Sequence, residues 1–111
     1  MSIREEIMEK RAKADKELVI NELYEALLLL KNTEEVSRFF NDLCTPQEIK
    51  VLAERWRVCK LLDEGSFSYR EINSLTGASL ATIGRVARFL KEEPHQGYAL
   101  ILTRFRKRAK K

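Results

Sequence analysis

The chain has 111 residues, 44% of them hydrophobic and 34% charged, which suits one small globular domain and leaves no room for two large cores. No continuous apolar run is longer than residues 26–30, and the opening Met-Ser-Ile-Arg-Glu-Glu-Ile is too charged for a signal peptide, so a soluble cytoplasmic protein with no membrane partner is expected. The net charge of +4 is unevenly spread: residues 1–65 carry 11 basic and 14 acidic groups, whereas residues 94–111 carry six basic groups and no acid. A positive C-terminal end suits a polyanionic partner, although it also serves plain solubility.

With only two prolines, four glycines and no sustained alternation of apolar and polar residues, the sequence reads as all-α. Residues 1–11 are charged and are expected to fray. A long helix is expected over about residues 12–30, with Ile20, Leu23, Tyr24, Leu27 and Leu28 on its apolar stripe. The added Leu29 and Leu30 make its end apolar on nearly every side. A partner subunit is the economical way to cover it, the alternative being one crowded monomer core. Thr33 followed by Glu34 and Glu35 reads as the next helix start, with Val36, Phe39, Phe40 and Leu43 behind it.

Thr45-Pro46-Gln47-Glu48 has threonine as cap, proline at the first helical position and glutamate at the third. The helix it starts runs to about Glu64, stops at Gly65 and carries the stripe Ile49, Leu52, Ala53, Trp56, Cys59 and Leu62. Ser68 and Glu71 repeat the capping box, Gly77 ends the short helix between them, and Ser79 caps the next. From Ser79 onward, Leu80, Ile83, Ala87 and Leu90 are expected to face the core, with Ala81, Gly84, Arg85 and Arg88 on another side. Two short helices around a tight glycine turn, with a face small at one end and basic at the other, form a helix-turn-helix over about residues 68–91. The same hairpin also occurs as a plain structural element, but glycine, both caps and the polar face agree on DNA. Asn73 departs from the pattern, standing four residues before the turn glycine where a small residue is common. Pro94 and Gly97 then break the chain before a last helix from about Tyr98, carrying Ala99, Leu100, Ile101, Leu102 and Phe105. Its sequel, residues 106–111, reads as a basic tail able to hold phosphates by counterion release.

Nothing in the inventory assembles a catalytic set. His95 is the one histidine, Cys44 and Cys59 lack metal-ligand spacing and read as small buried hydrophobes, and neighbouring acids such as Glu34 and Glu35 point to different sides of a helix. The protein is therefore expected not to be an enzyme and to need no metal or cofactor.

The segments Leu43-Cys-Thr-Pro-Gln-Glu48, Leu52-Ala-Glu-Arg-Trp-Arg-Val58, Leu61-Leu-Asp-Glu-Gly65, Ser68-Tyr-Arg-Glu-Ile72 and Thr76-Gly-Ala-Ser-Leu-Ala-Thr-Ile-Gly-Arg85 resemble the tryptophan-repressor family. The YerC/YecD-like branch is the nearer likeness, on Arg85-Val-Ala-Arg88 and Gly97-Tyr-Ala-Leu-Ile-Leu-Thr-Arg104. The likeness spans about residues 36–105. It implies a tryptophan-repressor-like helical domain over residues 12–105 and an intertwined homodimer that reads double-stranded DNA. Under it, Arg70 matches a base-contacting arginine, Leu80, Ala81 and Gly84 match positions near the major groove, and Asn73, Thr82, Arg85 and Arg88 complete the candidate DNA surface. It also implies a vestigial ligand pocket of Thr45, Arg55, Arg85, Val86 and Phe89, with the two arginines placed as those that sandwich tryptophan in the repressor. Val86 stands where the repressor has a glycine that leaves space for the indole, and Phe89 where a serine binds the polar end. Asp42 and Cys44 replace two leucines of the pocket wall. These departures argue against tryptophan, because a buried ammonium without partners loses on the order of a few kcal/mol. A sequence-specific transcriptional regulator with no small-molecule ligand is the expectation. The alternative is a helical module that binds RNA or a protein without operator recognition.

Overall fold

The computed structural model describes residues 1–12 and 15–109, which form seven α-helices and, among the described residues, no strand. They are α1 (Ile3–Ala12), α2 (Lys16–Leu27), α3 (Thr33–Leu43), α4 (Pro46–Glu64), α5 (Tyr69–Thr76), α6 (Leu80–Lys91) and α7 (Gly97–Ala109). They fall into two compact units that divide between Leu43 and Cys44, inside the stretch read from the sequence as one domain.

In the first unit, the charged start of the chain is a helix and not a frayed end. Ser2 Oγ accepts from the N–H of Glu5, acids occupy the first turn of α1 and bases its last, an order that complements the helix dipole. Helix α2 is shorter than the expected 12–30 at both ends, and residues 13 and 14 lie outside the described residues. Asp15 caps it by accepting from the N–H of Glu17. At the other end the N–H groups of Leu29 and Leu30 bond back three residues, to Ala26 and Leu27. That tightens the last turn and stops the helix at Leu27. Helix α3 begins at Thr33, as the sequence reading has it, and Asn32 before it is the cap, its Oδ1 accepting from the N–H of Glu35 at 2.9 Å. Glu35 reaches back to the N–H of Lys31.

The second unit, from Cys44 onward, holds the core. Val58 and Cys59 of α4, Ile72 of α5, Ala78 in the turn, Ile83 and Val86 of α6 and Leu102 of α7 are buried together, with Trp56, Leu61, Leu62, Phe67, Leu90 and Tyr98 packed around them. Helix α4 is the floor on which α5 and α6 lie; α5 and α6 pack on one another, and α7 closes on α6. Among the described residues no polar or charged residue is buried, so the core holds no side-chain charge that would have to be desolvated. Two helix faces are rotated from the expected ones. On α4, Leu52 and Ala53 are exposed while Val58 is fully buried; on α6, Leu80 is 54% exposed and Val86 joins the core at 1%. Cys44, expected to be buried, is half-exposed, while Cys59 is fully covered.

The ends of α4 to α6 follow their local chemistry. Thr45 and Glu48, and again Ser68 and Glu71, form complete reciprocal capping boxes, each satisfying two N–H groups that a helix start leaves open. Gly65 and Gly77 end α4 and α5 at φ of 75° and 77°, in the left-handed region where a Cβ is penalised. The last helix starts at Gly97, one residue before the expected Tyr98. It continues to Ala109, so residues 106–109 of the basic tail are helical, and Lys110 and Lys111 lie outside the described residues. Arg106 is further tied to α4 through an ion pair with Asp63.

Candidate functional site

The site is built on α5, the turn and α6. Three residues, Gly77, Ala78 and Ser79, separate the two helices. Ala78 is fully buried between them, which brings the start of α6 close against the end of α5. Ser79 Oγ accepts from the N–H of Thr82 at 3.1 Å and donates to Thr82 Oγ1 at 3.0 Å. Thr82 is thus part of the cap of α6, and half-buried.

Of the eight candidate DNA-binding residues, Arg70, Leu80, Ala81, Arg85 and Arg88 are exposed, and Gly84 is half-buried. A Cβ added at Gly84 would meet nothing within 4 Å. The space over it is open, and no neighbour within the chain calls for a glycine there. Two arginines on α6 are held in place. The Arg85 guanidinium lies over the Phe89 ring, 4.3 Å from its centroid, and that of Arg88 lies 5.2 Å from the same ring. Arg88 also pairs through Nε with Glu93 at 3.2 Å. A planar cation stacked on a ring loses little further freedom when it meets an acceptor. Asn73 points elsewhere: its Nδ2 donates to the carbonyl of Ala78 at 2.7 Å, across the turn.

The five residues of the implied ligand pocket line two separate clefts in one chain. Arg85, Val86 and Phe89 line a cleft of about 260 Å³ with His95, Gln96, Gly97 and Tyr98. Thr45 and Arg55 line another of about 320 Å³, with Cys44 and Glu48 among its walls. Tyr98 connects the arginines electrostatically. Burial, and to a lesser degree Cys59, push its phenol up, while the positive charges of Arg55 and Arg85 both pull it down. Tyr98, His95 and Gln96 are cleft residues that the sequence reading did not single out. Tyr98 reads in the sequence only as the start of the last helix; Gln96 takes a positive φ of 55°, which no sequence signal announced. The Cys59 thiol, under α7, is raised to about 11 by burial and by the nearby Asp63, so it stays protonated and unreactive at neutral pH.

Against this geometry, residues 19–106 match the family "Trp repressor protein". The chain belongs to the Trp repressor family. Within the family it sides with the YerC-like branch: it is 49% identical over 71 residues, 64% of this chain and 67% of the other, to the "Uncharacterized protein YerC" of Bacillus subtilis. Two solved structures of similar proteins superpose with a TM-score of 0.75 at 40% identity: a TrpR-like protein from Eubacterium eligens, over 81% of this chain and 91% of that one, and a candidate Trp repressor from Staphylococcus aureus, over 80% and 87%. The all-helical architecture is therefore that of the Trp repressor family, as the motif resemblance implied. Among the described residues no helix is long and apolar enough to cross a membrane.

Proposed function

We propose that the protein is a cytoplasmic, homodimeric, sequence-specific DNA-binding regulator of transcription, not an enzyme, and that it does not respond to tryptophan. The observation that carries this reading is the pair α5 and α6. They form a helix-turn-helix whose second helix shows solvent a small end, Ala81 beside the open Gly84, and a basic end, Arg85 and Arg88. Small residues let a helix approach base edges, and guanidinium groups reach phosphate or guanine. Dimerisation, in which the two chains intertwine, is supported by the apolar end of the first unit: Leu28 and Leu29 are 85% and 77% exposed, a costly arrangement unless a second copy covers them. Two reading helices would then meet half-sites about one helical turn, roughly 34 Å, apart.

Indifference to tryptophan is supported by the cleft beside α6. Val86 is packed into the core at a position where a glycine would leave more space, and Phe89 presents a ring already covered by Arg85 and no hydroxyl for an amino acid's polar end.

Selection from random duplexes at several salt concentrations tests the reading. The expected result is one enriched sequence motif, with Arg70→Ala losing about 1–3 kcal/mol at the preferred site and little on random DNA. Enrichment of no motif, with equal retention of RNA or of a protein ligand, would favour a helical interaction module instead.

A further inference from the structure

The turn between α5 and α6 is held by side chains on both of its polar sides. Ala78, buried at its centre, donates its N–H to Thr76 Oγ1 at 3.0 Å, and its carbonyl accepts from Asn73 Nδ2 at 2.7 Å. Thr76 Oγ1 in turn donates to the carbonyl of Ile72 at 2.7 Å. The N–H of Gly77 bonds to the carbonyl of Asn73 at 2.8 Å. Both hydrogen-bonding groups of the middle turn residue are therefore bound to the last turn of α5, and so is the glycine before it. A three-residue link of this kind has few soft torsions, and one whose middle residue has both polar groups bound to the helix before it has fewer accessible arrangements still.

We infer that Asn73 and Thr76 are positioning residues: their clasp on Ala78 presets the angle at which α6 leaves α5, so that the reading face of α6 is presented before DNA arrives and without an effector. The inference rests on the DNA-binding reading and gives Asn73 a role different from base or phosphate contact. Its side chain is spent on the protein's own backbone, and a small residue there would leave the carbonyl of the buried Ala78 without this partner. A preset angle lowers the ordering cost of docking, and that gain accrues only to the duplex whose base edges match the helix.

The test uses the full chain and compares Asn73→Ala, Thr76→Val and the hydroxyl-preserving Thr76→Ser, well below their melting temperatures. In the DNA-free protein, amide exchange at Gly77 and Ala78 is expected to accelerate in Asn73→Ala, although that change removes no acceptor of either N–H. On DNA, Asn73→Ala and Thr76→Val are expected to lower affinity for the selected duplex about two- to tenfold. Affinity for random DNA should stay level, base preference should weaken at all positions together, and Thr76→Ser should restore both readouts. Unchanged exchange together with an unchanged specific-to-random ratio would overturn the proposal. A switch of preference at one base pair with exchange unchanged would make Asn73 a base contact and overturn it equally. If the unaltered protein selects no duplex, the DNA reading itself fails and takes the clasp's role in DNA recognition with it; accelerated exchange would then still uphold the clasp as the device that sets the turn.

Discussion

Gly84 sits in the middle of α6, where a glycine costs a helix about 0.5–1 kcal/mol relative to alanine. Nothing inside the chain asks for that loss, since a methyl group there would stand in open space. Gly84→Ala is therefore expected to raise stability by about 0.5–1 kcal/mol in urea melts while weakening DNA binding, the opposite signs that mark a position kept small for a partner. Were DNA affinity unchanged in that variant, Gly84 would have no part in close approach. Val86 presents the reverse case. Its side chain is fully packed among Val58, Ile83 and Leu102, so Val86→Gly, the change that would make room for an indole, removes buried methyl groups and inserts a helical glycine. A loss of about 2–4 kcal/mol is expected. Millimolar tryptophan is expected to leave the melting temperature of the unaltered protein where it was. Because a ligand bound only to the native state stabilises it by about 2.7 kcal/mol at a hundredfold excess over Kd, a saturable thermal shift would show that the cleft takes the amino acid after all.

At the scale of the element, the starts of α4 and α5 share one device. Hydrogen bonds from the backbone and hydroxyl of Thr45 hold the Glu48 carboxyl below its ordinary range, and Ser68 does the same for Glu71. A carboxyl lowered in the folded state stabilises the fold above its unfolded value, and that contribution disappears as pH falls through the lowered value. Urea midpoints measured from neutrality down to about pH 3 should fall less steeply in the double variant Glu48→Gln with Glu71→Gln, since an amide completes the box without titrating. Equal slopes would mean that the boxes are not formed in solution. These caps were legible from the sequence because each is a contract among four neighbouring residues, as is Gly77. Faces were less so. The 3.6-residue period locates a stripe but not its centre, and on α6 the core lies one step round, toward Val86, because α4 and α7 approach from that side. Helix α1 was misread because charge that looks like disorder in composition is, in order, an acid-first, base-last helix. The role of Asn73 was invisible, since its partner is a carbonyl five residues on whose direction only the turn decides. Of the implied site, Ala81, Arg85 and Arg88 could be named because they alternate with core residues on one helix, whereas Leu80 was placed on the core stripe by its period and entered the site only through the family resemblance. The clefts could not, since their walls come from several elements.

For the whole molecule, association reduces to surface. Leu18, Val19, Ile20 and Tyr24 of α2, with Leu28 and Leu29 after it, are all exposed in a single chain. Sedimentation equilibrium at low micromolar concentration is expected to find a dimer and no folded monomer. A stable folded monomer would separate this chain from the intertwined arrangement and leave DNA recognition to single half-sites, which rarely suffice for specificity.

Trp56 is the one tryptophan of the chain. It is half-buried on α4 with the Phe105 ring 5.8 Å away and Lys60 Nζ 5.9 Å from its centroid. The protein therefore carries a single indole lamp, lit in the unit that begins at Cys44 and placed where α7 meets α4. Selectively excited emission follows the detachment of α7 and takes no signal from residues 1–43, whose one tyrosine, Tyr24, does not respond at that wavelength. Helicity counts both units. A gap between an emission melt and a helicity melt consequently marks helix lost away from the contact of α4 with α7, the first unit included, without a label or a truncation.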